Sequence, residues 1–304
     1  MSRIPRILHY CFGMAPDFGG KKWGLSHYVC VRSAIDKIRP EKTYLYYQYE
    51  PTGPWWDETK KLVDLVKIDA PTSIFGNPVE HPAHRADIVR LEKLIEKGGI
   101  YLDSDVLVHQ SFDPLLENST VLGAEGQGSA YGTANAVILG EPNAKFLTTW
   151  YSEYKTFRGK AGQFWSEHSV QLPLYLAKRL PDAITILNYR AFFWPLWTMD
   201  HLEWIFNSTR PCVFPDTYAT HLWDGKSYRY TENLTPGDVR RHDTNFHRWA
   251  KPYLEGLADD FGVEEPRRDW KSRLPGMREL LRDKATNIAR RVRTMVSPRR
   301  FETR

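Results

Sequence analysis

The chain has 304 residues, 41% of them hydrophobic and 26% charged, enough to bury the core of one large or two ordinary domains. No run of about 18 apolar residues occurs, so no membrane-spanning helix is read, and the short apolar run near the N-terminus lacks the length and cleavage site of a secretory signal. Residues 267–304 carry 13 Lys and Arg against 4 Asp and Glu, a net +9; set against +5 for the whole chain, this leaves −4 on residues 1–266, so an anionic partner is expected for the tail alone.

The predicted elements follow in chain order. Residues 4–10 (IPRILHY) read as a first strand, and residues 21–38 carry a helical pattern that stops before Pro40. Residues 43–49 (TYLYYQY) are rich in β-formers and read as a second strand; residues 55–64 read as a short helix and 65–69 as a third strand. Over residues 84–97, Ile88, Leu91, Leu94 and Ile95 form a helical stripe, and Gly98 suits the left-handed position after the last turn. Residues 100–102 are a fourth strand. Later, 135–139 and 183–187 read as strands, 144–157 and 169–179 as helices, and 211–230 as short strands and turns. Strand alternating with helix predicts an α/β fold with a mostly parallel sheet, which binds ligands beyond the carboxyl ends of its strands.

The segment 98–108 (GGIYLDSDVLV) places two carboxylates at such an end. Asp is depleted in strands and costly to bury without a partner. In an extended chain Asp103 and Asp105 share one side, with Ser104 on the other. Two oxygen donors there suit a hard divalent ion that bridges substrate phosphates; a solvated loop past a strand would look the same. On the preceding helix Asp87 and Arg90 lie three apart and share a face, with Arg85 close by. A surface ion pair would share that spacing, so it is the combined pattern that is specific.

That pattern, Arg85-x-Asp87-x-x-Arg90 followed by Gly98-Gly99-Ile100-Tyr101-Leu102-Asp103-x-Asp105, resembles glycosyltransferase family 32, the Asp-X-Asp sugar transferases. The resemblance extends to IPRILHYCFG at 4–13 and PTGPWW at 51–56, and downstream to Asn135 in GTANAVIL and to HLWDGKSY at 221–228. It implies a GT-A-type, Rossmann-like fold in a single domain over residues 1–266, with added helices and a basic helical tail over 267–304. It implies a UDP- or GDP-sugar donor, Mn²⁺ or Mg²⁺, retention at the anomeric carbon, and a glycan or glycolipid acceptor. By the same resemblance Asp103 and Asp105 are metal and donor aspartates. Asp87 and Arg90 hold hydroxyls of the transferred sugar, Arg85 and Asn135 belong to the donor site, and His9 and Tyr10 face the nucleotide. His221 completes the metal shell and Lys226 contacts the diphosphate, although Gly225 stands one residue later than in related His-x-x-Gly segments. Trp223 suits either a sugar platform or the core.

Two rival readings stand beside this one. A haloacid-dehalogenase-type phosphatase also places Asp-x-Asp after an apolar strand, but normally near the N-terminus and with Thr or Val where this chain has Leu107. A non-catalytic sugar-binding protein is the other, against which every charged position of the motif is filled. Cys11, Cys30 and Cys212 are odd in number and widely spaced, which suggests a reducing compartment, hence a cytoplasmic enzyme; the sequons at Asn118, Asn207 and Asn233 are read as chance. In residues 275–296, Met277, Leu281, Ile288, Val292 and Met295 recur at helical spacing among Arg278, Arg282, Arg290, Arg291 and Arg293. A helix packed on the body would have this pattern, and so would an interfacial helix on an anionic membrane surface; the body has no second basic patch, so no nucleic acid is expected.

Overall fold

The computed structural model describes residues 2–126, 132–158 and 164–263. The basic tail and the domain boundary expected near Pro266 lie outside the described residues. In chain order the strands are β1 (Ile7–Cys11), β2 (Lys42–Tyr47), β3 (Asp64–Lys67), β4 (Ser73–Ile74), β5 (Asn77–Pro78), β6 (Gly99–Leu102), β7 (Val106–Val108), β8 (Thr120–Ala124), β9 (Thr133–Gly140), β10 (Thr185–Leu187) and β11 (Ala219–His221). The α-helices are α1 (Leu25–Ile38), α2 (Pro54–Lys60), α3 (Pro82–Lys97), α4 (Lys145–Ser152), α5 (Leu172–Arg179), α6 (Met199–Phe206), α7 (Asp224–Thr231), α8 (Pro236–Arg241) and α9 (Asn245–Ala250).

Seven strands form one sheet in the order β10-β8-β9-β6-β1-β2-β3. Strands β3, β2, β1 and β6 run parallel, while β9 runs antiparallel to both β6 and β8. This is an α/β fold of GT-A type: a parallel half continued by an antiparallel strand. Both faces are covered, so the central strands are mostly apolar on both sides, with His9 of β1 and Asn135 of β9 among the exceptions. Leu8, Tyr10, Ile100, Leu102, Val137 and Leu139 point to the α1 side, and Tyr101 and Ile138 to the side of α3 and α4.

Two glycines fix the α3–β6 junction. Gly98 ends α3 at φ 65° and donates to the Leu94 carbonyl at 2.8 Å. Gly99 has φ 115°, and a Cβ there would lie 2.9 Å from His9 Nε2 and 2.5 Å from the Ile7 carbonyl oxygen, so only glycine lets β6 close on β1.

The fold corrects three local expectations. Residues 103–106 form a turn, with the Val106 amide on the Asp103 carbonyl at 3.0 Å, so the two aspartates are brought together by a turn and not by strand alternation. The segment 211–230, read as short strands and turns, contains β11 and most of α7. Helix α1 starts at Leu25, after an irregular connection that includes the turn Phe18–Gly20. Among the described residues no helix is long and apolar enough to cross a membrane.

Candidate active site

Three elements meet at the carboxyl end of β6. The β6–β7 turn carries Asp103 and Asp105. Strand β11 pairs antiparallel with β7, with His221 opposite Val106. Helix α3 carries Asp87 and Arg90 one and two turns from its start, where Pro82 occupies the first position and His81 caps the Ala83 amide.

Asp105 is buried and held from two directions. Its Oδ2 accepts from the Asp224 amide at 2.7 Å and lies 3.1 Å from His221 Nε2, while its carbonyl accepts from the Leu222 amide at 2.9 Å. Burial opposes the Asp105 charge, but His221 and the Asp224 amide outweigh it and hold the carboxyl well below the usual range. His221 is shifted the opposite way: burial disfavours its charge, and Asp105 overrides that and raises its pKa.

Asp103 has a side chain 27% exposed, against 5–12% for Asp87, Arg90, Asp105 and His221, so it is the member of the group that faces solvent. Its Oδ1 accepts from the Tyr101 hydroxyl at 2.8 Å and lies 3.2 Å from Arg90 Nη2. Arg90 lies over the Tyr101 ring at 4.3 Å, reaches Asp87 Oδ1 at 3.3 Å and donates to the Asn135 carbonyl at 2.7 Å. Burial opposes its charge too; Asp103, Tyr101 and Asp87 prevail and raise its pKa. The Asn135 side-chain amide donates to Asp87 Oδ1 at 2.6 Å, so Asn135 serves both partners of the ion pair. Burial raises the Asp87 pKa despite Arg90, His84 and Asn135. A buried pair bonded this fully fixes geometry; removing one partner would strand the other.

The sequence-predicted residues divide clearly. Asp87, Arg90, Asp103, Asp105, Asn135 and His221 come together. Lys226 is exposed in the first turn of α7, two residues after Asp224, whose amide supports Asp105. His9 and Tyr10 are corrections: both are fully buried. His9 bridges the Tyr46 hydroxyl at 3.1 Å and the Gly98 carbonyl at 2.8 Å, and Tyr10 points into the α1 side of the core, so neither has surface to offer a nucleotide. Arg85 is half-buried, and its guanidinium donates to the Met14 and Val79 carbonyls at 3.1 and 3.3 Å, fastening two connections to α3. Sequence reasoning missed Tyr101 and Asp224, which orient the two aspartates. Tyr101 stood inside the motif; the contribution of Asp224 is a backbone amide, which no side-chain pattern signals.

Among the described residues, Asp103, Asp105 and His221 each offer one ligand atom, all within 4.8 Å of one another. Two carboxylate oxygens and one imidazole nitrogen fit Mn²⁺ or Mg²⁺, and three protein ligands leave positions for substrate oxygens.

The sequence comparisons assign the chain that carries this cluster to a class of sugar transferases. The family description "Glycosyltransferase sugar-binding region containing DXD motif" matches residues 28–122. The chain belongs to this DXD glycosyltransferase family, of the family 32 kind. It is 35% identical over 280 residues to a Cryptococcus neoformans protein named glucan organizing enzyme 1, covering 88% of this chain and 74% of that one. It is 27% identical over 173 residues to the mannosyl phosphorylinositol ceramide synthase CSH1 of Saccharomyces cerevisiae, covering 52% and 40% of the two chains. Among solved structures, the glycosyltransferase GlyE of Streptococcus pneumoniae aligns with 92% of this chain and 64% of its own at 13% identity and a TM-score of 0.45. Family membership overturns the phosphatase reading.

Proposed function

We propose that this protein is a divalent-metal-dependent, retaining glycosyltransferase that moves a hexose from a UDP- or GDP-sugar to a hydroxyl of a glycan or glycolipid. The observation that carries the reading is the convergence of Asp103, Asp105 and His221 within 4.8 Å, beside the Asp87–Asn135–Arg90 network. Mn²⁺ or Mg²⁺, when bound by that triad, supplies positive charge to the leaving diphosphate.

The side chains divide the remaining work. Asp105 is kept ionised and immobile by His221 and the Asp224 amide. Tyr101 and Arg90 orient Asp103 at the solvent face. Asn135 and Arg90 both hold Oδ1 of Asp87, which leaves its other oxygen for a hydroxyl of the transferred sugar. Lys226 and Arg90 add positive charge on the diphosphate side. The motif offers no further carboxylate as a nucleophile, which favours attack on the same face as departure, with the leaving phosphate accepting the acceptor's proton.

The names of the two relatives support a polysaccharide or lipid-linked acceptor. A lipid-linked acceptor would suit a cytoplasmic enzyme held at an anionic membrane by residues 275–296. The test is a panel of GDP-mannose, UDP-glucose, UDP-galactose and UDP-N-acetylglucosamine with Mn²⁺. The expected result is metal-dependent release of nucleoside diphosphate from one donor. No turnover of any donor, with no Mn²⁺ bound, overturns the reading.

A further inference from the structure

A further carboxylate, Glu125, stands near the triad, on the opposite face of the sheet from Asp87 and Arg90. Beyond the end of β8 the pairing with β9 continues, the Glu125 amide donating to the Gly132 carbonyl at 2.9 Å. Strand β9 also takes the Asp103 amide on the Ala136 carbonyl at 2.8 Å, so Glu125 lies across β9 from the DXD turn. A Cβ on Gly123 would meet Phe192 and Phe193, which belong to the α1 side of the core, and residues two apart on a strand point the same way. Glu125 therefore faces the side away from α3.

Two indoles connect Glu125 to the triad. Trp197 Nε1 donates to Glu125 Oε1 at 3.0 Å. Trp223 Nε1 donates to the Pro195 carbonyl, two residues before Trp197, at 2.8 Å. The Trp223 ring lies 4.1 Å from the His221 ring. Trp223 holds φ 58°, an unusual conformation for an aromatic residue, and the next amide is the one that binds Asp105. Glu125, Trp197 and Trp223 are all partly exposed.

We propose that Glu125, Trp197 and Trp223 form the acceptor side of this site and that the acceptor group they take is a carbohydrate. Indole faces cover the apolar faces of a pyranose ring, and Glu125 accepts a hydrogen bond from one of its hydroxyls. The donor sugar, held from α3, and the acceptor then meet beside the triad, approaching from opposite faces of the sheet. This inference rests on the transferase reading and extends it to the second substrate.

The test compares wild type with Glu125→Gln, Trp197→Ala and Trp197→Phe, using p-nitrophenyl α-mannoside, β-glucoside and β-galactoside as acceptor probes. Expected is an acceptor KM raised at least tenfold in Glu125→Gln and Trp197→Ala and less in Trp197→Phe, which keeps an aromatic face, while donor KM moves less than threefold. Saturation-transfer NMR of the same probes, with Mn²⁺ and nucleoside diphosphate present, reads acceptor contact without turnover. Contact seen in wild type and lost in Glu125→Gln supports the proposal. Acceptor KM unmoved, donor KM rising in parallel, or probe contact equal in both proteins or absent from wild type overturns it. A wild type that turns over no donor would instead defeat the transferase reading, and the NMR comparison still decides this one.

Discussion

His221 Nε2 lies 3.1 Å from Asp105 Oδ2, joined by the antiparallel pairing of β7 with β11. The pair is the core of the proposed metal site. Asp105→Asn keeps an oxygen for the Asp224 amide but loses the charge. We expect Mn²⁺ affinity, read by electron paramagnetic resonance, to fall about 100-fold, and donor turnover by at least that much. Stability should drop by no more than about 2 kcal/mol, because the backbone bonds of the turn remain. Near-normal Mn²⁺ binding in this variant would remove Asp105 from the metal site.

Asp87 and Arg90 should separate in their effects. Asp87→Asn preserves size but changes the group offered to the sugar; turnover should fall about 100-fold while free nucleoside diphosphate binds within threefold of wild type. Arg90→Ala leaves Asp87 buried and Asp103 without its cation, and should cost about 3–5 kcal/mol in urea unfolding. Calorimetric titration with UDP and GDP and equilibrium unfolding distinguish the two. Loss of nucleotide affinity in Asp87→Asn would move Asp87 to the nucleotide side.

His9 is a reporter of acid sensitivity. Burial, only partly offset by its bond to the Gly98 carbonyl, pushes its pKa down to about 4, against about 6.5 in an unfolded chain. Between those values the unfolded state binds more protons, so stability is complete above pH 6.5 and falls as pH drops towards 4, by about 3 kcal/mol in all. His109, pushed down to about 3 by burial, adds in the same direction. The unfolding free energy of wild type should fall between pH 7 and 5 by about 2 kcal/mol more than that of His9→Gln. Equal slopes would show that His9 is not held neutral in the fold.

The basic segment 275–296 can be tested by charge alone. Full-length protein should sediment with phosphatidylserine vesicles at low salt and be released at high salt. The triple substitution Arg290→Glu, Arg291→Glu and Arg293→Glu should abolish sedimentation, with about 1 kcal/mol lost for each basic residue removed. Undiminished vesicle binding by that variant would assign the interaction to another surface.

Much of the site was legible because its parts are local. The stripe of α3, the two glycines and the apolar strand ahead of Asp103 lie in one continuous segment, and each obeys a short-range rule. His9 shows the limit of such reading. The family resemblance implied that it faces a nucleotide, yet β1 is central and covered on both faces, so its imidazole is enclosed between Tyr46 and Gly98. Glu125 and Trp197 carried no signal at all, since each becomes meaningful only beside the other.

The sequence by itself determined the α/β class, the helix that presents Asp87 and Arg90 on one face, and the strand that ends at Asp103. Periodicity and glycine conformation act within a few residues, so these were fixed by local chemistry. Tertiary structure decided the contact through which His221 meets Asp105, that the Asp224 amide holds it, that Asn135 bonds both Asp87 and Arg90, and that His9 and Tyr10 are enclosed in the core. Those outcomes depend on which strands pair and in what register. Register is set by the sum of burial over the whole sheet, a quantity that no single segment contains.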